Sequence, residues 1–87
     1  MVARERAKVL NPVGLHARPA AVFVQTARKF KSKILVHKNE KFADAKNLLQ
    51  ILALGVDCGD EIEIVAEGED EMEALGELVK IAESTDI

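Results

Sequence analysis

Hydrophobic and polar positions repeat with two different periods along the chain. In residues 2–10, VARERAKVL, Ala3, Ala7 and Val9 fall on one side and Arg4, Arg6 and Lys8 on the other. Glu5 interrupts the apolar side, but the period of two still predicts a half-buried strand. Residues 11–15 contain Asn, Pro and Gly and read as a loop. From Ala17 to about Lys29 the period changes. Ala20, Phe23, Val24 and Ala27 take the i, i+3, i+4, i+7 spacing of a core-facing helical stripe. Pro19 falls in the first turn, where its missing N–H would have had no partner within the helix. The residue before a proline resists helical angles, so backbone constraint is expected at Arg18.

The period of two returns in KILVHK, 33–38, and KFAD, 41–44, which read as strands joined by a hairpin turn at Asn39-Glu40. In AKNLLQILALG, Asn47 is suited to cap a short helix and Gly55 to end it. That helix is apolar on too many sides. With one free face it cannot bury Leu48, Leu49, Ile51, Leu52 and Leu54 together, so about half of them are expected in the core. EIEIVA, 61–66, alternates cleanly as a fourth strand. Asp70 followed by Glu73 suggests a capping box ahead of a last helix whose buried stripe is Leu75, Leu78, Val79 and Ala82. The order strand, helix, strand, strand, helix, strand, helix predicts an α+β fold with helices covering one face of the sheet. The 87 residues are expected to form a single domain, 1–87, without repeats, linkers or low-complexity tails.

Composition removes several classes of function. A hydrophobic share of 48% and a charged share of 31% suit an ordinary soluble globular protein. Three Phe with no Trp or Tyr argue against a stacking platform for single strands. The net charge, 12 − 15 = −3, lacks the basic footprint of a nucleic-acid partner. No apolar run has the length of a membrane span, so no direct membrane insertion is expected. The start, MVARERAKV, has no apolar h-region of a signal peptide. One cysteine, Cys58, cannot form an internal disulfide. Together these features suggest a cytoplasmic protein.

Most candidate chemistry also drops out. His16, His37 and Cys58 lie far apart without metal-ligand spacing, so no metal and no cofactor are expected. His37 reads as a solvent-facing strand residue, and Cys58 as an incidental loop thiol. Ser32 and Ser84 have no elbow-like context. Gly55 and Gly59 make no nucleotide-binding motif. The acidic run Glu67–Glu73 reads as a turn and a solvated helix start.

What remains is NPVGLHARP, residues 11–19. It places an imidazole, His16, and a guanidinium, Arg18, at the mouth of the first helix. The first backbone N–H groups of a helix lack internal partners, and the helix dipole adds partial positive charge there. Such a place suits a phosphate. A neutral imidazole is a nucleophile available at cell pH, and Arg18 supplies a fork of donors for phosphoryl oxygens. Gly14, Ala17, Ala20 and Ala21 are small enough to leave the ring accessible. The arrangement fits a transient phosphohistidine better than a hydrolytic site. A lone histidine near a helix start is equally compatible with a capping or loop role.

Gly14-Leu15-His16-Ala17-Arg18-Pro19-Ala20 resembles the active-site signature of the HPr family, the histidine-containing phosphocarriers of the bacterial phosphoenolpyruvate-dependent sugar phosphotransferase system. The resemblance extends to chain length, element order, the Lys46-to-Gly55 helix and the Gly68-Glu69-Asp70-Glu71 lead into the last helix. It implies the HPr-like open-faced β-sandwich, four antiparallel strands with three helices on one face. It implies that His16 takes the phosphoryl group on Nδ1, with Arg18 and the backbone of Ala17 and Arg18 holding it. Enzyme I would be the donor and the IIA domains of sugar permeases the acceptors. Ala17, Ala21 and Gln25 of the first helix, with Leu48, Leu49 and Leu52 of the second, would form the partner-docking patch, a transient apolar interface ringed by polar groups.

One departure stands out. Many members from low-GC Gram-positive bacteria carry, after the lysine of the second helix, a serine that a dedicated kinase modifies. Here the pair is Lys46-Asn47, and asparagine caps a helix but offers no hydroxyl. The departure leaves room for a nitrogen-branch carrier or a regulatory HPr-like protein that acts by binding partners. A purely structural interaction domain is disfavoured by the intact His-Ala-Arg-Pro signature. The chain alone is expected to catalyse little, because a partner supplies half of the transfer site, and nothing in the sequence demands more than a monomer.

Overall fold

The computed structural model describes residues 2–86. Its elements run β1 (Val2–Lys8), α1 (Ala17–Ala27), β2 (Lys33–Lys38), β3 (Lys41–Asp44), α2 (Leu48–Leu54), β4 (Glu61–Glu67) and α3 (Glu71–Glu83). The βαββαβα order expected from periodicity is the order observed. The α1 stripe ends at Ala27, where Arg28 and Lys29 turn out of the helix, so the helix is two residues shorter than its apolar spacing suggested.

The four strands form one antiparallel sheet in the order β1-β4-β2-β3. Pairings such as Ile34 with Ala66 and Val36 with both Ile64 and Ala43 align the apolar positions of neighbouring strands. The period of two then gives the sheet two unlike faces. Ala7, Ile34, Val36, Ala43, Ile62, Ile64 and Ala66 are buried under the three helices. The other face is open, and there Arg4 meets Glu63 at 3.5 Å while His37 stacks on Phe42 at 4.2 Å between centroids. His37 is thus half covered by a ring rather than simply solvent-facing.

The helices contribute the stripes read from the sequence, except that Val79 of α3 is only half-buried at the edge of the core. Ala20, Phe23, Val24 and Ala27 of α1 are buried, as are Leu75, Leu78 and Ala82 of α3 together with Ala74. Each large aliphatic or aromatic side chain so covered contributes about 1.5–3 kcal/mol. The short α2 divides as expected. Ile51 and Leu54 are buried, Leu52 packs partly on the core, and Leu48 and Leu49 stay exposed, Leu49 at 77%. Asn47 caps α2 by accepting from the Gln50 N–H at 3.1 Å, and Gly55 closes it in the left-handed conformation at φ +72°.

Two polar ties fix where the helices end. The Arg28 Nε donates to the Lys46 carbonyl at 2.9 Å, and the Lys46 ammonium donates to the Phe30 carbonyl at 2.7 Å. The end of α1 is thereby held at the start of α2. The capping box expected at Asp70 and Glu73 does not form. The Asp70 carboxylate accepts instead from the backbone N–H groups of Lys31 and Ser32, at 2.9 and 3.0 Å, and from the Ser32 hydroxyl. A long-range partner has taken the oxygens that a local cap would have used. The Ser32 hydroxyl, followed by the Lys31 N–H, holds the Asp70 carboxyl below the usual carboxylate range.

Candidate functional site

The site grows from the loop between β1 and α1. Asn11 is buried and folds the loop on itself, its side-chain oxygen accepting from the Val13 N–H at 3.0 Å and its carbonyl from the Gly14 N–H at 2.8 Å. Gly14 lies at φ +70°, and a Cβ there would run into the Val56 carbonyl and the Asp57 Cα. Only glycine permits both the torsion and the approach. The Leu15 N–H then donates to the Val56 carbonyl at 3.0 Å, and Leu15 itself is buried. The loop before α1 is in this way laid against the loop that follows α2.

His16 occupies the N-cap position of α1 in an extended conformation, φ −128° and ψ 168°, and its side chain makes no cap hydrogen bond. Pro19 has no N–H, and the Ala20 N–H reaches back to the His16 carbonyl at 3.4 Å. The backbone N–H groups of Ala17 and Arg18 therefore find no acceptor among the described residues. Ala17 sits at φ +51°, a left-handed torsion that costs a non-glycine residue about 1–2 kcal/mol. The unusual torsion lies at Ala17, not at Arg18, which is helical although it precedes Pro19. The Arg18 guanidinium is exposed and has no ion-pair or hydrogen-bond partner among the described residues.

The imidazole is half-buried and does have a partner. Its Nε2 lies 3.2 Å from an Asp57 carboxylate oxygen. A carboxylate only accepts, so Nε2 carries the proton in this contact, and in the neutral ring Nδ1 keeps its lone pair. Asp57 is held by its own N–H, which donates to an Asp60 carboxylate oxygen at 2.8 Å, and by its carbonyl, which accepts from the Asp60 N–H at 3.0 Å. Asp60 is gripped in turn by the Lys38 ammonium at 2.9 Å. The Asp57 N–H and then Lys38 hold the Asp60 carboxyl below its ordinary value.

The other residues singled out in the sequence lie on the two helices that flank this point. Ala17 and Gln25 are exposed on α1 and Ala21 is half-buried; Leu48 and Leu49 are exposed on α2 with Leu52 half-buried beside them. The two helices pack on each other. Asn47 stands at the far end of α2 and is exposed. His37 and Cys58 join neither His16 nor each other, and the described residues contain no group of three or more His, Cys, Asp or Glu able to hold a metal. No helix among them is long and apolar enough to cross a membrane. Asp57 had no signal in the sequence, because it lies 41 positions from His16.

A protein-family model described as the PTS HPr component phosphorylation site matches residues 3–84. The phosphocarrier protein HPr of Treponema pallidum is 42% identical over 74 residues, 85% of this chain and 84% of its own. Among solved structures, a phosphocarrier protein HPr from Bacillus anthracis superposes with a TM-score of 0.92 at 38% identity, covering 94% of this chain and 98% of that one. The Bacillus subtilis catabolite repression protein Crh, described as a dimer with a swapping domain, superposes with a TM-score of 0.78 at 37% identity, covering 95% of each chain.

Proposed function

The chain belongs to the HPr phosphocarrier family, and on that premise we propose that it carries a phosphoryl group on His16. It receives the group from phosphorylated Enzyme I and hands it to the IIA domains of sugar permeases in the phosphoenolpyruvate-dependent phosphotransferase system. The observation that carries this reading is the convergence, at one helix start, of an imidazole with a free Nδ1, an unpartnered guanidinium and two open backbone N–H groups. Phosphoryl transfer asks the protein for little covalent chemistry and much positioning and charge stabilisation. Arg18 and the N–H groups of Ala17 and Arg18 supply the charge stabilisation, and the helix end adds about 0.3–1 kcal/mol for a nearby anion. The N–P bond holds the group, and this modest term steadies its charge without trapping it.

In this reading Ala17, Ala21, Gln25, Leu48, Leu49 and Leu52 dock donor and acceptor alike, and the partner completes the transfer site. The domain works as a cytoplasmic monomer, without a cofactor. Asn47 keeps the cap of α2 and withholds a hydroxyl from any serine kinase.

The test is intact mass after incubation with Enzyme I, magnesium and phosphoenolpyruvate, before and after mild acid. One added phosphoryl group, lost in acid and never gained by His16→Ala, is the expected result. No added mass beside an active control HPr would sink the sugar-branch assignment. The likeness to Crh favours a second reading, a regulatory protein that docks without transfer. Under that reading a His16→Ala strain would still regulate normally, and sedimentation would find dimers.

A further inference from the structure

We infer that Asp57 is a positioning residue for His16, holding the imidazole in the tautomer that leaves Nδ1 free to take the phosphoryl group. The inference rests on the carrier reading above and adds to it a residue outside the His-Ala-Arg-Pro signature. Its ground is the 3.2 Å contact between Nε2 and the Asp57 carboxylate, together with the way that carboxylate is placed.

Asp57 is exposed, yet its position is not left to chance. Its backbone is pinned on both sides by Asp60, through the 2.8 Å bond from its own N–H and the 3.0 Å bond to its carbonyl. The residue before it accepts the Leu15 N–H, and Gly14 presses against its Cα without a Cβ between them. Asp60 is anchored by Lys38 from the β2–β3 hairpin. Three separate segments thus set one carboxylate beside one edge of one ring.

The chemical consequence follows from the two ring nitrogens. A neutral imidazole has one N–H and one lone pair, and the partner of the N–H selects which nitrogen is which. With Nε2–H donating to Asp57, the lone pair is on Nδ1. During transfer the Nδ1 lone pair forms the new N–P bond, while the donor's bond to phosphorus breaks and its electron pair leaves with the donor. The Nε2 proton stays on the ring. The phosphorylated ring then bears a positive charge, and Asp57 stands at the opposite edge from the phosphoryl group to balance it. In the return step the same proton remains in place while the acceptor takes the phosphorus.

The experiment reads the tautomer on the unphosphorylated protein, by nitrogen-15 NMR of His16 at a pH where the ring is neutral, in the wild type and in Asp57→Ala and Asp57→Glu. Circular dichroism checks that each variant is folded. The rate of phosphoryl acceptance from phosphorylated Enzyme I is measured in parallel. Asp57→Ala should show a larger share of the Nδ1–H tautomer and accept the group about 2–5-fold more slowly, the scale of an exposed charge-assisted contact. The loss should fall on kcat and leave KM in place, because Asp57 acts through the ring. Asp57→Glu should restore the tautomer in part. An unchanged tautomer in Asp57→Ala, or an unchanged rate, would overturn the inference. A wild-type protein that shows the Asp57-dependent tautomer but takes no phosphoryl group would overturn the carrier reading and support the tie.

Discussion

The starts of α1 and α2 are built from the same elements and finished in opposite ways. At α2, Asn47 folds its side chain over the first turn and accepts from Gln50, so the helix closes its own end. At α1, the cap position carries His16, whose ring turns away to Asp57 and leaves the Ala17 and Arg18 N–H groups open. One end is finished for stability. The other is left chemically unsaturated, and its neighbour Ala17 is held in a left-handed torsion besides. Under the carrier reading, the phosphoryl group takes the place at α1 that a side-chain cap fills at α2.

The strongest way to break the contrast is Gly14→Ala. A side chain there meets backbone at Val56 and Asp57, and the φ of +70° is strained for alanine. The expected loss is about 1–3 kcal/mol in urea unfolding, together with the His16–Asp57 contact. A midpoint unchanged from wild type would refute the account of the loop.

The contrast sharpens when one truncation is made at both caps. Asn47→Ala removes a cap bond and should cost about 1 kcal/mol, most of it recovered in Asn47→Ser. His16→Ala removes no cap bond and only an exposed contact, so it should cost less than about 0.5 kcal/mol while abolishing phosphorylation. Equal thermal shifts for the two alanine variants would show that the ends are not differently built.

The third helix start gives the smallest effect. Asp70 titrates below the ordinary carboxylate value because the Ser32 hydroxyl and the Lys31 N–H stabilise its charged form. A depressed pKa contributes stability that is present above the unfolded value, about 3.9, and is lost as pH falls through the folded one. Asp70→Asn should therefore flatten the acid limb of stability below about pH 4. An acid limb identical to wild type would mean that the Ser32 contact does not persist in solution.

Local sequence pattern was enough for the elements and their order, and it singled out His16 as the candidate for the chemistry. Periods of two and of 3.6 are local properties, and Asn47, Gly55 and Pro19 act on backbone within a turn of themselves. His16 and Arg18 were legible because the Gly-Leu-His-Ala-Arg-Pro run is contiguous. Tertiary structure alone decided the strand order β1-β4-β2-β3, the transfer of Asp70 from its own helix to Ser32, and the pairing of His16 with Asp57. Asp70 illustrates the reason. Its local partner was correctly spaced, yet a backbone segment 38–39 positions away offered three donors at once. Contacts across such separations depend on how the sheet and helices dock, and docking is a balance of burial over the whole core that no short stretch of sequence contains.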